Sequence, residues 1–146
     1  MKIQNYVEIK KIPELTSLPK PPEPLLGKIS KEKGSTFFLH NGTEMCYIVA
    51  IEFKKGFGPR GNHYHKQRHE YIYILSGKGK AQYWLPKTPK ENIVRSVESG
   101  ELIYVKPGCA HAYTAVENMV VIEFSPQAFD PTDDYDVKNL EDVLTR

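Results

Sequence analysis

Little in this sequence points to an oxidising compartment, a membrane or a polymeric partner. Of its 146 residues only two are cysteines, Cys46 and Cys109. Two thiols do not make a disulfide framework, and their spacing is not that of a zinc pair, so both are expected to be reduced. No apolar run approaches the roughly 20 residues that a bilayer crossing needs. The opening Met1-Lys-Ile-Gln-Asn-Tyr has no apolar stretch of the signal-peptide kind. An excess of one charge is missing as well: 20 Lys and Arg stand against 18 Asp and Glu, a net charge of +2, without clustering. Bulk charge therefore predicts neither nucleic acid nor membrane as a partner. No repeat recurs at solenoid or propeller spacing, and no stretch reads as a long amphipathic helix. The expectation is a cytoplasmic protein with a small-molecule partner.

What the sequence does have is strand. Residues 36–39, 45–53, 70–75, 80–85, 93–97, 102–105, 111–116 and 120–124 are rich in β-branched and aromatic residues. Turn signals separate them, among them Asn41-Gly42, the stretch 56–61, Ser76-Gly77, the stretch 86–92, Ser99-Gly100 and Pro107-Gly108. Short strands at regular spacing predict an all-β, single-domain antiparallel barrel or jelly roll, here over residues 31–128. Residues 1–30 read as a short strand, with Ile3, Val7 and Ile9 apolar, followed by an arm. Pro13, Pro19, Pro21, Pro22 and Pro24 keep that arm extended. Residues 129–146 read as a surface tail, acidic at first and then mildly helical.

The chemistry concentrates in two stretches. In Gly58-Pro-Arg-Gly-Asn-His63-Tyr-His65, alternate side chains share a strand face, so His63 and His65 point the same way. Glu70 opens the next strand on the face of Ile72 and Ile74, which suggests an apolar interior. A carboxylate there needs a partner, because an unpaired buried charge is costly. Later, Gly100 to His111 reads as strand, tight turn and a histidine opening another strand. Three imidazoles and a carboxylate, His63, His65, His111 and Glu70, suit one divalent transition ion: zinc, iron, manganese, nickel or copper. His69 has the opposite parity to Glu70 and is expected to point outward. His40 is read as an ordinary hydrogen-bonded histidine.

Gly58, His63, His65, Glu70 and Gly77, then Gly100, Gly108 and His111, resemble the two motifs of the cupin superfamily over about residues 45–125. Lys106 stands where a proline is often found, and Ala115 where an asparagine is often found; neither is a ligand position. The resemblance implies a metal held by the four residues named. His63-Tyr-His65-Lys66, Pro107-Gly108 before His111, and Phe129-Asp-Pro-Thr-Asp-Asp resemble the cupin half of nucleotide-sugar reductase/epimerases. Arg60-Gly61-x-His63-x-His65-Lys66 is similar to ketoisomerases and epimerases of deoxy-sugar nucleotides. Most of the latter lack a full ligand set and use their histidines as acid and base, so Glu70 favours a metal-containing version.

The function expected is isomerisation or epimerisation of a keto-sugar carried on a nucleotide or phosphate. Metal coordination of a carbonyl and its neighbouring oxygen would stabilise an enediolate. Tyr113, two residues beyond His111 on the same face, is the catalytic candidate. Only one of Tyr83 and Trp84 can point inward as a stacking wall, and Trp84 is taken as the substrate contact. Arg60 and Lys66, with Arg68, are placed at the mouth as binders of phosphate oxygens, and the loops 56–61 and 86–92 as its rim. The alternatives are a non-catalytic metabolite-binding cupin and an iron-dependent oxygenase. Exposed sheet edges invite pairing, so a homodimer is expected, with residues 2–26 crossing to the partner.

Overall fold

The structure, a computed structural model, describes residues 1–39 and 42–145; His40 and Asn41 lie outside the described residues. Twelve strands follow in order: β1 Val7–Lys11, β2 Gly27–Lys31, β3 Gly34–Phe38, β4 Tyr47–Phe53, β5 Arg60–Tyr64, β6 Glu70–Ser76, β7 Lys78–Leu85, β8 Thr88–Glu98, β9 Glu101–Val105, β10 Ala110–Ala115, β11 Met119–Ser125 and β12 Tyr135–Asp136. A short helix, α1, covers Leu140–Leu144. One antiparallel sheet runs β1-β9-β6-β11-β4, a second runs β12-β5-β10-β7-β8, and β2 and β3 form a separate hairpin. Among the described residues no strand pair joins the two five-stranded sheets, so the protein is nearly all-β, consistent with a jelly roll. No described helix is long and apolar enough to cross a membrane.

The period-two alternation decides which residues meet between the sheets. Ile72, Ile74, Ile103, Val105, Val121 and Tyr83 belong to one buried cluster. Ile74 and Ile103 are fully buried, and each such side chain contributes about 1.5–3 kcal/mol by leaving water. The opposite faces of β6, β9 and β11 carry Tyr73, Leu102 and Phe124, which pack with Ile12, Leu26 and Leu39 in a second cluster. The first sheet is thus apolar on both faces.

Three expectations are corrected here. The segment thought to cross to a partner is stitched into its own sheet. Ile3 is buried, Val7 pairs with Val105 and Lys11 with Glu101, and Ile12 donates to the Gly100 carbonyl at 3.0 Å. The apolar alternation that suggested an interface is satisfied within the chain. Second, the stretch 86–92 is not a loop. β7 and β8 form one hairpin in which Leu85 pairs with Thr88, and a register shift absorbs the residues before Asn92. Asn92 Nδ2 closes that shift by donating to the Pro89 and Lys90 carbonyls at 2.9 and 3.2 Å.

Third, the tail is not merely a surface segment. β12 pairs with β5, Tyr135 opposite Tyr64 and Asp136 opposite His63. Val137 donates to the Asn62 carbonyl at 2.8 Å. Helix α1, capped by the Asn139 side chain, buries Leu140 against Trp84, Ala110 and Ala112. One buried leucine outweighs the polarity of its neighbours in fixing where a short helix docks.

Candidate active site

Strand β5 carries His63, and His65 follows one residue past its end. The strand reaches the site by an unusually close approach to β10. Gly61 sits at φ +107°, where a Cβ would lie 2.7 Å from the His111 carbonyl oxygen, so a side chain there is excluded on both counts. His63 then registers with His111, at a bulge between His111 and Ala112. Antiparallel partners share a face, so these two rings meet. Glu70 enters from the opposite sheet at the start of β6.

The ligand-capable atoms of His63, His65 and His111 lie within 4.8 Å of one another. The Glu70 carboxylate faces two of the three rings. Its Oε1 is 3.1 Å from His65 Nε2 and its Oε2 is 3.0 Å from His111 Nε2. All three of these residues are 3% exposed or less. Even so, Glu70 Oε2 and His65 Nε2 have no well-aligned hydrogen-bond partner.

The other side of each ring explains why. His65 Nδ1 lies 2.5 Å from the Asp133 carbonyl oxygen, and His111 Nδ1 lies 3.2 Å from that of Cys109. His63 Nδ1 lies 2.9 Å from Asp134 Oδ1. These oxygens orient the rings: with the proton of a neutral ring on Nδ1, its Nε2 lone pair is turned toward the cluster, and when His65 or His111 is protonated the same Nε2 faces Glu70 instead. In the neutral tautomer, imidazole lone pairs and a carboxylate converge. That donor set fits a divalent transition ion, and the oxygens behind the rings orient them as such sites require.

Without an ion, protons take up the strain. Burial disfavours the Glu70 charge, but His111 and then His65 outweigh it and hold the carboxyl well below its usual range. Burial likewise works against protonated His111 and His65, yet Glu70 raises both. His63 moves the other way, lowered by burial and by His111, with Asp134 offsetting part.

Beside the cluster, between the sheets, lies a cavity of about 200 Å³. Ile51, Ile72 and Val121 line it as apolar wall, and Tyr113, Glu123 and Arg68 as polar groups.

A family model described as Cupin matches residues 39–139. The chain belongs to the cupin family. A search of curated proteins found no match. Among solved structures, a 3,4-ketoisomerase from Helicobacter canadensis is similar at TM-score 0.70 and 12% identity, over 95% of each chain. A 3′-monoepimerase from Streptomyces bikiniensis, in complex with dTDP-quinovose, is similar at TM-score 0.75 and 12% identity, over 100% of this chain and 77% of that one. A sugar 3,4-ketoisomerase from Thermoanaerobacterium thermosaccharolyticum, in complex with TDP, is similar at TM-score 0.67 and 17% identity, over 96% and 93%. At these identities the likeness is one of fold.

In this cupin, Tyr113 lines the cavity with its ring 6.0 Å from that of His111. Tyr83 donates to its hydroxyl oxygen at 3.1 Å. Burial, then Tyr83, pushes the Tyr113 phenol well above its ordinary value, so it stays protonated and can only offer a hydrogen bond at neutral pH. Arg60 stands at the mouth, exposed, its Nη1 2.6 Å from the Glu52 carbonyl oxygen. Lys66 is away from the cavity, its ammonium 4.2 Å from the centre of the Tyr135 ring. Trp84, expected as a substrate contact, packs instead with Ala110, Ala112 and Leu140, and neither it nor Tyr83 is among the residues that line the cavity. Residues 86–92 do not line the cavity either, whereas Arg60 and Gly61 of the stretch 56–61 do. His69 lies outside the cavity, its Nδ1 2.6 Å from the Tyr104 hydroxyl.

Sequence reasoning missed Glu123 as a cavity group. It is 7% exposed, and burial, followed by Glu70, raises its carboxyl to about 7. The signal was available: Glu123 shares the strand parity of Met119 and Val121, an acid on a core face. Asp133 and Asp134 were read only as part of a tail motif. Their contacts bridge more than sixty sequence positions, which no local pattern encodes.

Proposed function

We propose that this cupin is a metal-dependent isomerase or epimerase of a keto-sugar carried on a nucleotide or phosphate. His63, His65, Glu70 and His111 would hold the ion. The observation that carries the reading is the convergence of three Nε2-directed imidazoles and a buried carboxylate beside a cavity that also holds Glu123 and Tyr113. The similar solved structures, a 3′-monoepimerase and 3,4-ketoisomerases seen with dTDP-quinovose or TDP, support this choice of reaction.

A bound divalent ion would supply Lewis acidity to a carbonyl and its neighbouring oxygen. The chain supplies the rest. Glu123, with its carboxyl near neutrality, takes the proton from the carbon beside the carbonyl. A base near the working pH combines availability with driving force. Burial, the larger cause of its shift, persists whatever Glu70 binds. Delivery of that proton to the former carbonyl carbon, with the neighbouring hydroxyl giving up its proton and the old carbonyl oxygen taking one, gives the ketoisomer. The epimer needs a proton from solvent or a second donor on the face opposite Glu123. Neither route changes the net oxidation state. Tyr113, kept protonated by burial and positioned by the Tyr83 hydroxyl 3.1 Å away, offers its hydrogen to the oxygen that gains charge.

Size assigns the two ends of the substrate. The cavity's 200 Å³ is below the ~300–1,000 Å³ of pockets that enclose a drug-sized ligand. A sugar ring fits inside, and the nucleotide stays at the mouth beside Arg60.

The test is solvent deuterium exchange into a panel of nucleotide-linked keto-sugars, followed by NMR with protein of measured metal content. Exchange at a carbon flanking the carbonyl, lost on chelation and restored by metal, is expected. Absence of exchange from every member by metal-loaded protein overturns the reading in favour of a non-catalytic binding cupin.

A further inference from the structure

Arg68 is 6% exposed, an unusual place for a guanidinium. The chain fixes it there from two directions. The Asp133 carboxylate accepts from the backbone N–H groups of Lys66, Gln67 and Arg68 at 2.7, 3.1 and 3.1 Å, which locks the turn between β5 and β6. The guanidinium carbon then lies 5.1 Å from the centre of the Tyr47 ring and 5.3 Å from that of Phe129. Those two rings stack on each other at 5.7 Å.

Aromatic neighbours hold a guanidinium through its flat face and leave the N–H edge unspent. Here that residue lines the cavity. Among the described residues the one acid within ion-pair range is Glu70, whose Oε1 is 3.8 Å from Arg68 Nη1, beyond hydrogen-bond length. Glu70 is already shared between His65 and His111. No ion pair joins Arg68 to Glu123, and among the described residues no oxygen accepts a hydrogen bond from its guanidinium. A planar cation with five donors thus faces the cavity beside the imidazole cluster with no protein oxygen at hydrogen-bond length among the described residues. Arg60 also lines the cavity and lies over a ring, Phe53, at 5.2 Å, but it is exposed and already donates to a carbonyl.

We propose that Arg68 receives an oxyanion, a carboxylate or a phosphate, that the substrate carries on the very unit that enters the cavity. This rests on the cavity being the reaction site, and it narrows the substrate class from keto-sugars in general to those with an acidic group on the reacting sugar. A neutral sugar would shield the guanidinium from water and offer it only uncharged acceptors, leaving its charge uncompensated. A charge-assisted pair across such an edge is worth roughly tenfold or more in affinity.

The experiment is calorimetric titration of the full chain, zinc-loaded and chelated, with D-glucuronate, D-glucose and inorganic phosphate. Glucuronate or phosphate should bind at least about tenfold more tightly than glucose. That ratio should collapse in Arg68→Gln and partly survive in Arg68→Lys, with zinc content unchanged in both. Uronate binding alone identifies a sugar acid, and phosphate binding alone a sugar phosphate. As a check that does not depend on the variant folding, the Arg68 Nε–H resonance of the wild-type protein should shift as the anion is added. Equal binding of glucose and both anions overturns the proposal, as does a ratio that survives in Arg68→Gln. A wild-type protein that binds no zinc but keeps Arg68-dependent anion binding sinks the metal reading and leaves this one standing.

Discussion

His63 Nδ1 and Asp134 Oδ1 face each other across 2.9 Å, joining a strand residue to one in the tail. Asp134 is itself well exposed, so its value lies in aiming the ring rather than in ion-pair energy. Asp134→Asn should weaken zinc binding by about 10- to 100-fold without unfolding the protein. Competition against a chromogenic chelator measures the first, and circular dichroism the second.

Removal of the ring nitrogens should be more severe. Purified protein is expected to hold close to one divalent ion per chain, and His63→Ala, His65→Ala and His111→Ala should each lose most of it. Glu70→Gln should keep weaker binding, since an amide oxygen still coordinates without charge. Elemental analysis of the four variants decides this, and full metal retention by His111→Ala would refute the cluster as a site.

Chemistry separates from binding at the other two cavity groups. Glu123→Gln and Tyr113→Phe should each lower kcat by about 10²–10³-fold, the usual cost of losing a general base or an oxyanion donor. Metal content should stay near that of the wild type. An isomerase assay run beside elemental analysis checks both, and loss of metal in Glu123→Gln would recast that residue as a ligand.

The thiols offer a probe that needs no substrate. Cys46 is exposed and Cys109 is buried, with burial pushing the Cys109 thiol up to about 12. A group raised that far stays protonated and unreactive at neutral pH. Native protein should therefore release one equivalent of thionitrobenzoate from Ellman's reagent, and unfolded protein two.

Leu140 should matter more than its place near the chain's end suggests. It is 1% exposed and packs with Trp84, Ala110 and Ala112. Leu140→Ala should cost about 2–5 kcal/mol, read as a lower urea midpoint. A midpoint unchanged from wild type would mean that α1 does not stay docked.

Much of the fold was legible because it is local. Alternation placed Ile72 and Ile74 inward, and the parity of His63 and His65 placed both rings on one face. The motif spacing found His111 across a stretch in which no single residue announces the pairing. What escaped was set by long-range packing. Trp84 and Tyr83 are equally apolar to a pattern, which does not show that Trp84 packs with Leu140 arriving from the tail while Tyr83 joins the other core cluster. The stretch 86–92 carries turn residues, yet its register shift keeps it in a hairpin. Glu123 was visible as an acid on a core face, but it gains meaning only once the opposite wall supplies Glu70.

The clasp made by Asp133 carries a consequence for how the site comes into being. Its carbonyl sits on His65, and its carboxylate gathers the turn that holds Arg68. Synthesis proceeds from the N-terminus, so every ring and carboxylate of the cluster emerges before the residue that fixes two of its neighbours in place. A chain interrupted after β11 would have all four side chains proposed to hold metal, yet His65 and His63 would have lost the oxygens behind them and Arg68 the turn that aims it. Such a fragment also lacks β12 and Leu140 and should be less stable, and whatever of its sheets forms should fail to capture metal or anion, so that the arrival of Asp133 and Asp134 is what readies the site.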